Sequence, residues 1–266
     1  MPMPTCTRTR TTLISLSSFG AAEVRRHGQA WFAQLAHRAG ADGVEIRGEL
    51  LGHSADHAEE LQDIARRCPD LHRFYSCAVP LFTRDGVLNH AGVQQAIACA
   101  QWLKAGLIKF SIGNGADADD LALRALAASL QACSIPVVIE NDQTHAAGTI
   151  FQLQRFFRKA AAVGLDFGLT FDIGNWHWVG ECPQRAAAVF ADRIRYVHTK
   201  GVQRQEKRWV ATPLTASAAP WKTLLDSMPA DCPWAIEYPL VGDDLLEVTR
   251  NEVIQLKTIQ RERYVD

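Results

Sequence analysis

Short apolar runs alternate with longer segments of helical periodicity along the whole chain. The runs are five or six residues long and rich in Val, Ile, Leu and Phe, which is typical of buried β-strands. Eight such strands are predicted, at residues 12–17, 43–47, 73–78, 107–112, 136–140, 167–172, 194–198 and 234–238. Each is followed by a stretch long enough to hold a helix.

The intervening segments place apolar residues at the i, i+3, i+4 spacing of an amphipathic helix. Three clear stripes are Trp31, Phe32, Leu35, Ala36 and Ala39; Ala58, Leu61, Ile64, Ala65 and Cys68; and Val93, Ala96, Ile97, Ala100 and Leu103. Pro183 and Pro220 stand where prolines occupy the first turn of a helix. Residues 243–263 predict a long amphipathic helix that closes the fold.

Alternation of strands and helices predicts parallel pairing through right-handed crossovers. A chain of 266 residues has the length of one eightfold barrel, which needs about 250 residues. The open doubly wound sheet is the alternative, but it needs a Gly-rich loop after the first strand, where only Gly20 is found. We therefore predict an α/β fold, a single (β/α)8 TIM barrel over residues 1–266, with residues 1–11 as a flexible N-terminal extension.

Four consecutive predicted strands end in a side chain able to bind a metal: Glu140, Asp172, His198 and Glu237. Barrel enzymes place their reacting groups at these carboxyl ends. Three carboxylates around one mouth repel each other unless a cation neutralises them. Three oxygen donors and one imidazole suit Mn²⁺, Mg²⁺, Co²⁺ or Zn²⁺. The alternative is a salt-bridged rim with Lys109, Lys200 and Arg204.

Composition narrows the classes of function. The formal net charge is -1 and no block of like charge is present, which argues against a nucleic-acid partner. No apolar run approaches the roughly 18 residues of a membrane span. The seven cysteines include no CxxC pair, so a disulfide framework or thiolate zinc site is not expected. We expect a soluble cytoplasmic protein with no membrane association, and a homo-oligomer is left open.

Five segments together resemble the sugar phosphate isomerase/epimerase superfamily, the xylose-isomerase-like barrels that include ketose 3-epimerases, inosose dehydratase and endonuclease IV. They are residues 44–47 (Val-Glu-Ile-Arg), 139–141 (Ile-Glu-Asn), 171–175 (Phe-Asp-Ile-Gly-Asn), 197–200 (Val-His-Thr-Lys) and 235–238 (Ala-Ile-Glu-Tyr). The resemblance covers nearly the whole chain. It implies that Glu140, Asp172, His198 and Glu237 hold one divalent metal. It also implies that Glu140 and Glu237 move protons and that Arg204 contacts the substrate.

The chain departs from that family at two positions. Asn175 stands where the family often has a histidine, and His177 lies two residues further on. Ala146 stands where the epimerases carry a second glutamate, in a loop that offers Asp142 and His145 instead. These differences leave the substrate and the reaction open.

Further candidates for substrate contact are Glu45, Lys109, Lys200, Asn175 and His177. Glu45 and Arg47 share one face of their strand and should point into the barrel, where an ion pair is as good an interpretation as substrate contact. Lys109 either neutralises Glu140 or holds a substrate oxygen. Aromatic residues after Asp172 could stack on a sugar or simply pack.

These residues predict an enzyme of carbohydrate metabolism, a divalent-metal-dependent isomerase or epimerase of a small sugar, sugar phosphate or polyol. A metal-stabilised enediolate would form, with Glu140 and Glu237 as acid and base. The first alternative is a metal-dependent dehydratase acting on a cyclic polyol. A DNA hydrolase like endonuclease IV needs more histidines than His198, and a sugar-binding barrel without catalysis does not need two glutamates.

Overall fold

Eight parallel strands close into a barrel in the computed structural model, which describes residues 10–52 and 57–262. The strands of the chain are β1 Thr12–Ser15, β2 Gly43–Arg47, β3 His72–Ser76, β4 Leu107–Phe110, β5 Val137–Glu140, β6 Gly168–Asp172, β7 Ile194–Thr199, β8 Gly201–Gln205, β9 Arg208–Thr212 and β10 Trp234–Ile236. The barrel order is β1-β10-β7-β6-β5-β4-β3-β2, and β8 pairs with β9 outside it. The prediction of a (β/α)8 barrel is confirmed.

Helices connect the strands and cover the outside of the barrel. They are α1 Ala21–His27, α2 Gln29–Arg38, α3 His57–Arg67, α4 His90–Leu103, α5 Asp120–Leu130, α6 Ile150–Ala162, α7 Pro183–Phe190, α8 Lys222–Asp226 and α9 Leu245–Glu262. The three predicted apolar stripes fall on α2, α3 and α4. The predicted closing helix is α9.

Two details of the helix predictions need correction. Trp31 is 46% exposed although it was placed in the buried stripe of α2, whereas Phe32 is buried. Adjacent helical residues point about 100° apart, so only one of the two rings can face the barrel. Pro183 is the first residue of α7 as predicted, but Pro220 precedes the N-cap Trp221 of α8 and lies outside the helix.

The N-terminal side of the barrel packs from residue 10 onward. Arg10 is buried, donates a hydrogen bond to the carbonyl of Pro229 at 3.2 Å, and lies 4.7 Å from the ring centroid of Trp234. The carbonyl of Thr11 accepts a hydrogen bond from the backbone N–H of Trp234. Of the predicted flexible extension 1–11, residues 1–9 lie outside the described residues, and the last two residues pack against the barrel.

An apolar layer closes the barrel interior below the mouth. Its six buried side chains are Leu13, Phe74, Leu107, Val138, Tyr196 and Ala235. The rings of Phe74 and Tyr196 meet edge to face at 4.9 Å, and the Tyr196 ring lies 4.9 Å from the ring of His198 above it. The polar residues of the mouth therefore lie on a layer of packed, buried side chains.

We expect Leu13→Ala to destabilise the protein by roughly 2–5 kcal/mol, because it removes a fully buried side chain from this close-packed layer. Leu121→Ala, at a position that is 78% exposed on α5, should change stability by less than about 0.5 kcal/mol. Urea unfolding followed by circular dichroism measures both. Equal stability of the two variants would show that the layer is loosely packed.

The hairpin of β8 and β9 is the one described pair of strands that the sequence did not predict. Its antiparallel register runs from Gly201 opposite Thr212 to Gln205 opposite Arg208. The turn contains Glu206 with a φ of 53°. Hairpin turns with positive φ usually carry Gly, Asn or Asp. This turn carries none of them, so nothing in the sequence indicated a hairpin here.

None of the described helices combines the length and the hydropathy that a membrane crossing requires. Within the same part of the chain, six cysteines are free thiols: Cys68, Cys77, Cys99, Cys133, Cys182 and Cys232.

Candidate metal centre

Glu140, Asp172, His198 and Glu237 come together at the mouth of the barrel. Each offers one ligand atom, and these atoms all lie within 4.8 Å of one another. The barrel register explains this convergence, because Asp172 lies beside His198 on neighbouring strands and the N–H of Glu237 binds the carbonyl of Thr199. Among the described residues this is the one group of His, Cys, Asp and Glu side chains with metal-binding geometry.

The imidazole of His198 is fully buried and fixed from both sides. Its Nε2 lies 2.9 Å from Oε2 of Glu45, a carboxylate with no exposed surface. Its Nδ1 faces the other carboxylates, at 2.9 Å from Oε1 of Glu140, 3.0 Å from Oε2 of Glu237 and 3.7 Å from Oδ2 of Asp172. We call these three atoms the inner oxygens.

The carboxylate of Asp172 has one oxygen committed to the backbone. Its Oδ1 accepts hydrogen bonds from the N–H groups of Gly174 at 2.8 Å and Asn175 at 3.0 Å. The Asn175 amide donates to the carbonyl of Asn141, and the Asn141 side chain binds both backbone groups of Asp172. Only Oδ2 of Asp172 is therefore available to a ligand, and Asn175 supports the turn.

Two cations tie Glu45 to the two glutamates at the mouth. Arg47 Nη1 lies 2.9 Å from Oε1 of both Glu45 and Glu237. Lys109, which is 1% exposed, lies 3.0 Å from Oε1 of Glu45 and 3.0 Å from Oε2 of Glu140. Lys109 thus holds Oε2 of Glu140 and Arg47 holds Oε1 of Glu237, which we call the outer oxygens. Neither of these two cations contacts an inner oxygen.

Lys200 instead binds two of the three inner oxygens. Its Nζ lies 2.7 Å from Oδ2 of Asp172 and 2.9 Å from Oε2 of Glu237. The side chain is buried, runs against Gly174, and brings Nζ to 5.9 Å from the ring centroid of Trp178. Part of the predicted salt-bridged rim is thus present, within the same cluster as the candidate ligands.

The cations keep the two mouth glutamates ionised. Burial raises the pKa of Glu140, but Lys109 and His198 outweigh it and the net pKa lies below the ordinary value. Burial likewise raises the pKa of Glu237, and His198 and Lys200 hold it well below that value. Both carboxylates are charged at neutral pH and can accept a proton.

The electrostatic field at the mouth attracts positive charge. Burial lowers the pKa of His198, yet Glu237, Glu45 and Glu140 raise it well above the ordinary value. The inner oxygens and Nδ1 therefore draw a cation to the point that they surround. A divalent metal is such a cation, and it would bind Nδ1 of the neutral imidazole in place of a proton.

The donor set fits a divalent metal. Nδ1 of His198 is buried without a hydrogen-bond partner, and buried Oδ2 of Asp172 makes an ion pair with Lys200. A metal-bound histidine commonly gives its other ring N–H to a carboxylate, which is the place of Glu45 here. One imidazole nitrogen and three carboxylate oxygens are ligands that Mn²⁺, Co²⁺ and Zn²⁺ accept, and Mg²⁺ accepts the oxygens.

The remaining predicted residues line the side of the mouth next to the hairpin. His177 is half-buried, with its ring 5.1 Å from that of Trp209. Arg204 is exposed, and its guanidinium lies 5.9 Å from the same indole ring. Burial lowers the pKa of His177. These three side chains can reach a ligand that extends out of the barrel.

Packing rather than stacking accounts for Trp176. It is fully buried against Phe171 and Phe190, whereas Trp178 is half-buried at the mouth. Of the two tryptophans, only Trp178 therefore remains a candidate for stacking on a sugar.

In the loop after β5, Asp142 accepts a hydrogen bond from Ser111 at 2.6 Å.

The sequence predicted the inward direction of Glu45 and offered its ion pair with Arg47, but it did not predict the contact with His198. Glu45 carries no exposed surface, and its polar contacts include His198, Lys109, Arg47 and the hydroxyl of Ser15. Strand alternation was the available signal. His198 lies 153 residues from Glu45 in the sequence, so strand alternation could not predict their contact.

The chain belongs to the family described as xylose isomerase-like TIM barrel, which matches residues 33–252. This confirms the superfamily to which the five sequence segments pointed. No curated protein sequence matches the chain significantly.

Solved structures share this fold at low sequence identity. A xylose isomerase domain containing protein from Salmonella typhimurium LT2 superimposes with a TM-score of 0.69 and 16% identity, over 100% of both chains. The 3-keto-D-glucoside 4-epimerase YcjR from E. coli has a TM-score of 0.65 and 14% identity, covering 94% of this chain and 99% of its own. The probable 3-DHS dehydratase AsbF from Bacillus anthracis has 0.63 and 14%, covering 92% and 98%. At these identities the likeness shows the fold alone.

Proposed function

We propose that this protein is a divalent-metal-dependent isomerase or epimerase of a small sugar, sugar phosphate or polyol. The observation that carries the proposal is the pair Glu140 and Glu237, whose carboxylates lie 2.9 and 3.0 Å from His198 Nδ1. Their side chains are 14% and 12% exposed, whereas Asp172 and His198 have no exposed surface. The two glutamates are thus the members of the cluster that a substrate can touch.

Four residues would hold the metal: Glu140, Asp172, His198 and Glu237. When bound there, the ion supplies Lewis-acid chemistry, polarising neighbouring carbonyl and hydroxyl oxygens of a sugar so that the C–H between them becomes acidic. Glu45 orients the imidazole, and the backbone N–H groups of residues 174 and 175 orient Asp172. The protein therefore prepares the ligand directions before the metal arrives.

Proton transfer falls to the two glutamates. Lys109 and Arg47 hold the outer oxygens of Glu140 and Glu237, which limits the rotation of both carboxylates. Each outer oxygen accepts from one of these cations and keeps a second lone pair. Through it, one glutamate can remove a proton from the substrate carbon, and the other can return a proton from the other side. Retention of both groups is what separates this proposal from a barrel that only binds a sugar.

Dehydration of a cyclic polyol is the second candidate. Ala146 favours it, because the epimerases that the sequence resembles carry a second glutamate at this position. The same proton abstraction would then be followed by loss of a β-hydroxyl. A DNA-hydrolysing role would need further metal-binding histidines beside His198, and the described residues do not group any there. We expect no nucleic-acid substrate.

The test is metal binding followed by substrate screening. Chelator-treated protein should bind one Mn²⁺, Co²⁺, Zn²⁺ or Mg²⁺ per chain in calorimetric titration. At a metal concentration a hundred times the Kd, stability should rise by about 2.7 kcal/mol.

Candidate sugars, sugar phosphates and polyols would then be incubated with the loaded protein in D₂O and followed by NMR. Deuterium at a carbon next to the carbonyl, without loss of water, indicates isomerisation or epimerisation. Loss of water indicates the second candidate. Protein that binds none of the four metals, with no gain in thermal stability, would exclude both.

A further inference from the structure

Three permanent cations lie among the candidate metal ligands at the mouth of the barrel. Four buried or half-buried carboxylates, those of Glu45, Glu140, Asp172 and Glu237, face three permanent cations. The cations are Arg47, Lys109 and Lys200. A divalent ion added to this group, with His198 neutral as a ligand, would give it a net charge of +1, which the more exposed Glu49 beside Arg47 brings to zero.

Two of the three cations keep a partner that takes no part in metal binding. Arg47 and Lys109 both bind Glu45, at 2.9 and 3.0 Å, and Arg47 also binds Glu49 at 2.8 Å. The oxygens that they hold on Glu140 and Glu237 are the outer ones. A metal at the inner oxygens therefore leaves every ion pair of Arg47 and Lys109 in place.

Lys200 differs, because both of its ion pairs use inner oxygens. Asp172 cannot offer its other oxygen, since Oδ1 binds two backbone N–H groups. Glu237 cannot readily offer its other oxygen, since Oε1 binds Arg47 at 2.9 Å. The ammonium and a metal thus need the same two atoms, Oδ2 of Asp172 and Oε2 of Glu237.

The ammonium also has little room to withdraw to water. Lys200 is 5% exposed, and its side chain lies so close to Gly174 that a Cβ there would meet its Cγ at 2.8 Å. A buried charge without a partner is costly, so an ammonium that loses two carboxylates needs another anion. The half-buried ring of Trp178 lies beside it, on the side of the mouth open to a ligand.

We propose that Lys200 is an internal counter-cation that competes with the metal for Asp172 and Glu237, and that the loaded site takes substrates with an anionic group, which becomes the new partner of Lys200. The inference rests on the proposed function and adds the substrate class: a small sugar or polyol bearing a carboxylate or phosphate. Neutral sugars would leave the displaced ammonium unpaired.

Calorimetric Mn²⁺ titration of chelator-treated wild type, Lys200→Met and Lys222→Met tests the competition. Lys222 is a matched control, because it is an exposed lysine beside Trp221 in a groove along α9. Lys200→Met should bind Mn²⁺ about tenfold or more tightly than wild type, since no internal cation then has to be displaced, and Lys222→Met should match wild type. Lys200→Gln serves the same purpose if the methionine variant does not fold.

Sulfate tests the anion. Replacing chloride by sulfate at constant ionic strength should tighten Mn²⁺ binding to wild type by about threefold or more, because two ligands that favour the same state strengthen each other. Lys200→Met should lose this response. An equal response in both proteins would overturn the assignment of the anion to Lys200.

The remaining outcomes separate this inference from the proposed function. Mn²⁺ binding to wild type with equal or weaker binding to Lys200→Met would overturn the competition and leave the metal centre standing. Failure of wild type and both Lys200 variants to bind Mn²⁺ would overturn the metal centre and the inference with it.

Discussion

Replacing Glu140 or Glu237 by glutamine should slow turnover by roughly 10²–10⁴, the usual contribution of one general acid or base. Glutamine preserves the shape of the side chain but removes its basic oxygen and its charge. Glu140 is held ionised by Lys109 and His198, Glu237 is held ionised by His198 and Lys200, and both side chains are partly exposed. Steady-state kinetics on the substrate found in the screen measures the loss.

Glu247→Gln is the matched control, because Glu247 is exposed in the first turn of α9 and should leave turnover unchanged. Metal content must be measured in the same samples, since each mouth variant also removes one ligand charge. If both metal-loaded variants turned over at the wild-type rate, the two-glutamate mechanism would be wrong while the barrel and its metal centre could stand.

Glu45→Gln should have the largest effect on stability of any single change at the mouth. The substitution leaves two cations, Lys109 and Arg47, without the fully buried carboxylate that they share. Removing one partner of a buried ion pair typically costs about 3–5 kcal/mol. The carboxylate also orients His198 through Nε2, and loss of such a partner typically weakens metal binding by about 10–100-fold.

Urea unfolding and Mn²⁺ titration of the same preparation measure the two effects separately. Glu49→Gln is the control on the same side of the barrel, because Glu49 is 39% exposed and pairs with Arg47 at 2.8 Å. It should cost less than about 1 kcal/mol, as half-exposed ion pairs do. Wild-type Mn²⁺ affinity in Glu45→Gln would show that the imidazole needs no carboxylate to direct Nδ1 at the metal.

Comparing the Mn²⁺ affinities of Glu45→Gln and Leu13→Ala separates loss of His198 orientation from general loss of stability. Leu13→Ala lowers stability from the layer below His198 without touching any charged group of the mouth. It should therefore leave Mn²⁺ affinity close to that of wild type. If both variants weakened metal binding to the same extent, loss of packing alone would explain the result.

The amino-acid sequence by itself determined the fold and the position of the candidate ligands along it. Apolar runs of strand length, separated by stripes of helical spacing, leave few ways to bury every apolar face, and the closed parallel barrel is one of them. Because parallel strands all point the same way, residues at their carboxyl ends must meet at one mouth. Glu140, Asp172, His198 and Glu237 could thus be grouped before any distance was known.

Only the tertiary structure decided which charges pair inside that mouth. Glu45 and His198 are 153 residues apart, and their contact depends on the shear of the closed barrel, which no local pattern encodes. The same holds for Lys200, whose position on the inner oxygens follows from the turn that packs Gly174 against it. Strand alternation tells whether a side chain points inward, but barrel closure sets which inward side chains share a level. Residue types therefore indicated a candidate metal centre, and three-dimensional register decided which side chains meet there, which carboxylate contacts the imidazole and which cation lies on the inner oxygens.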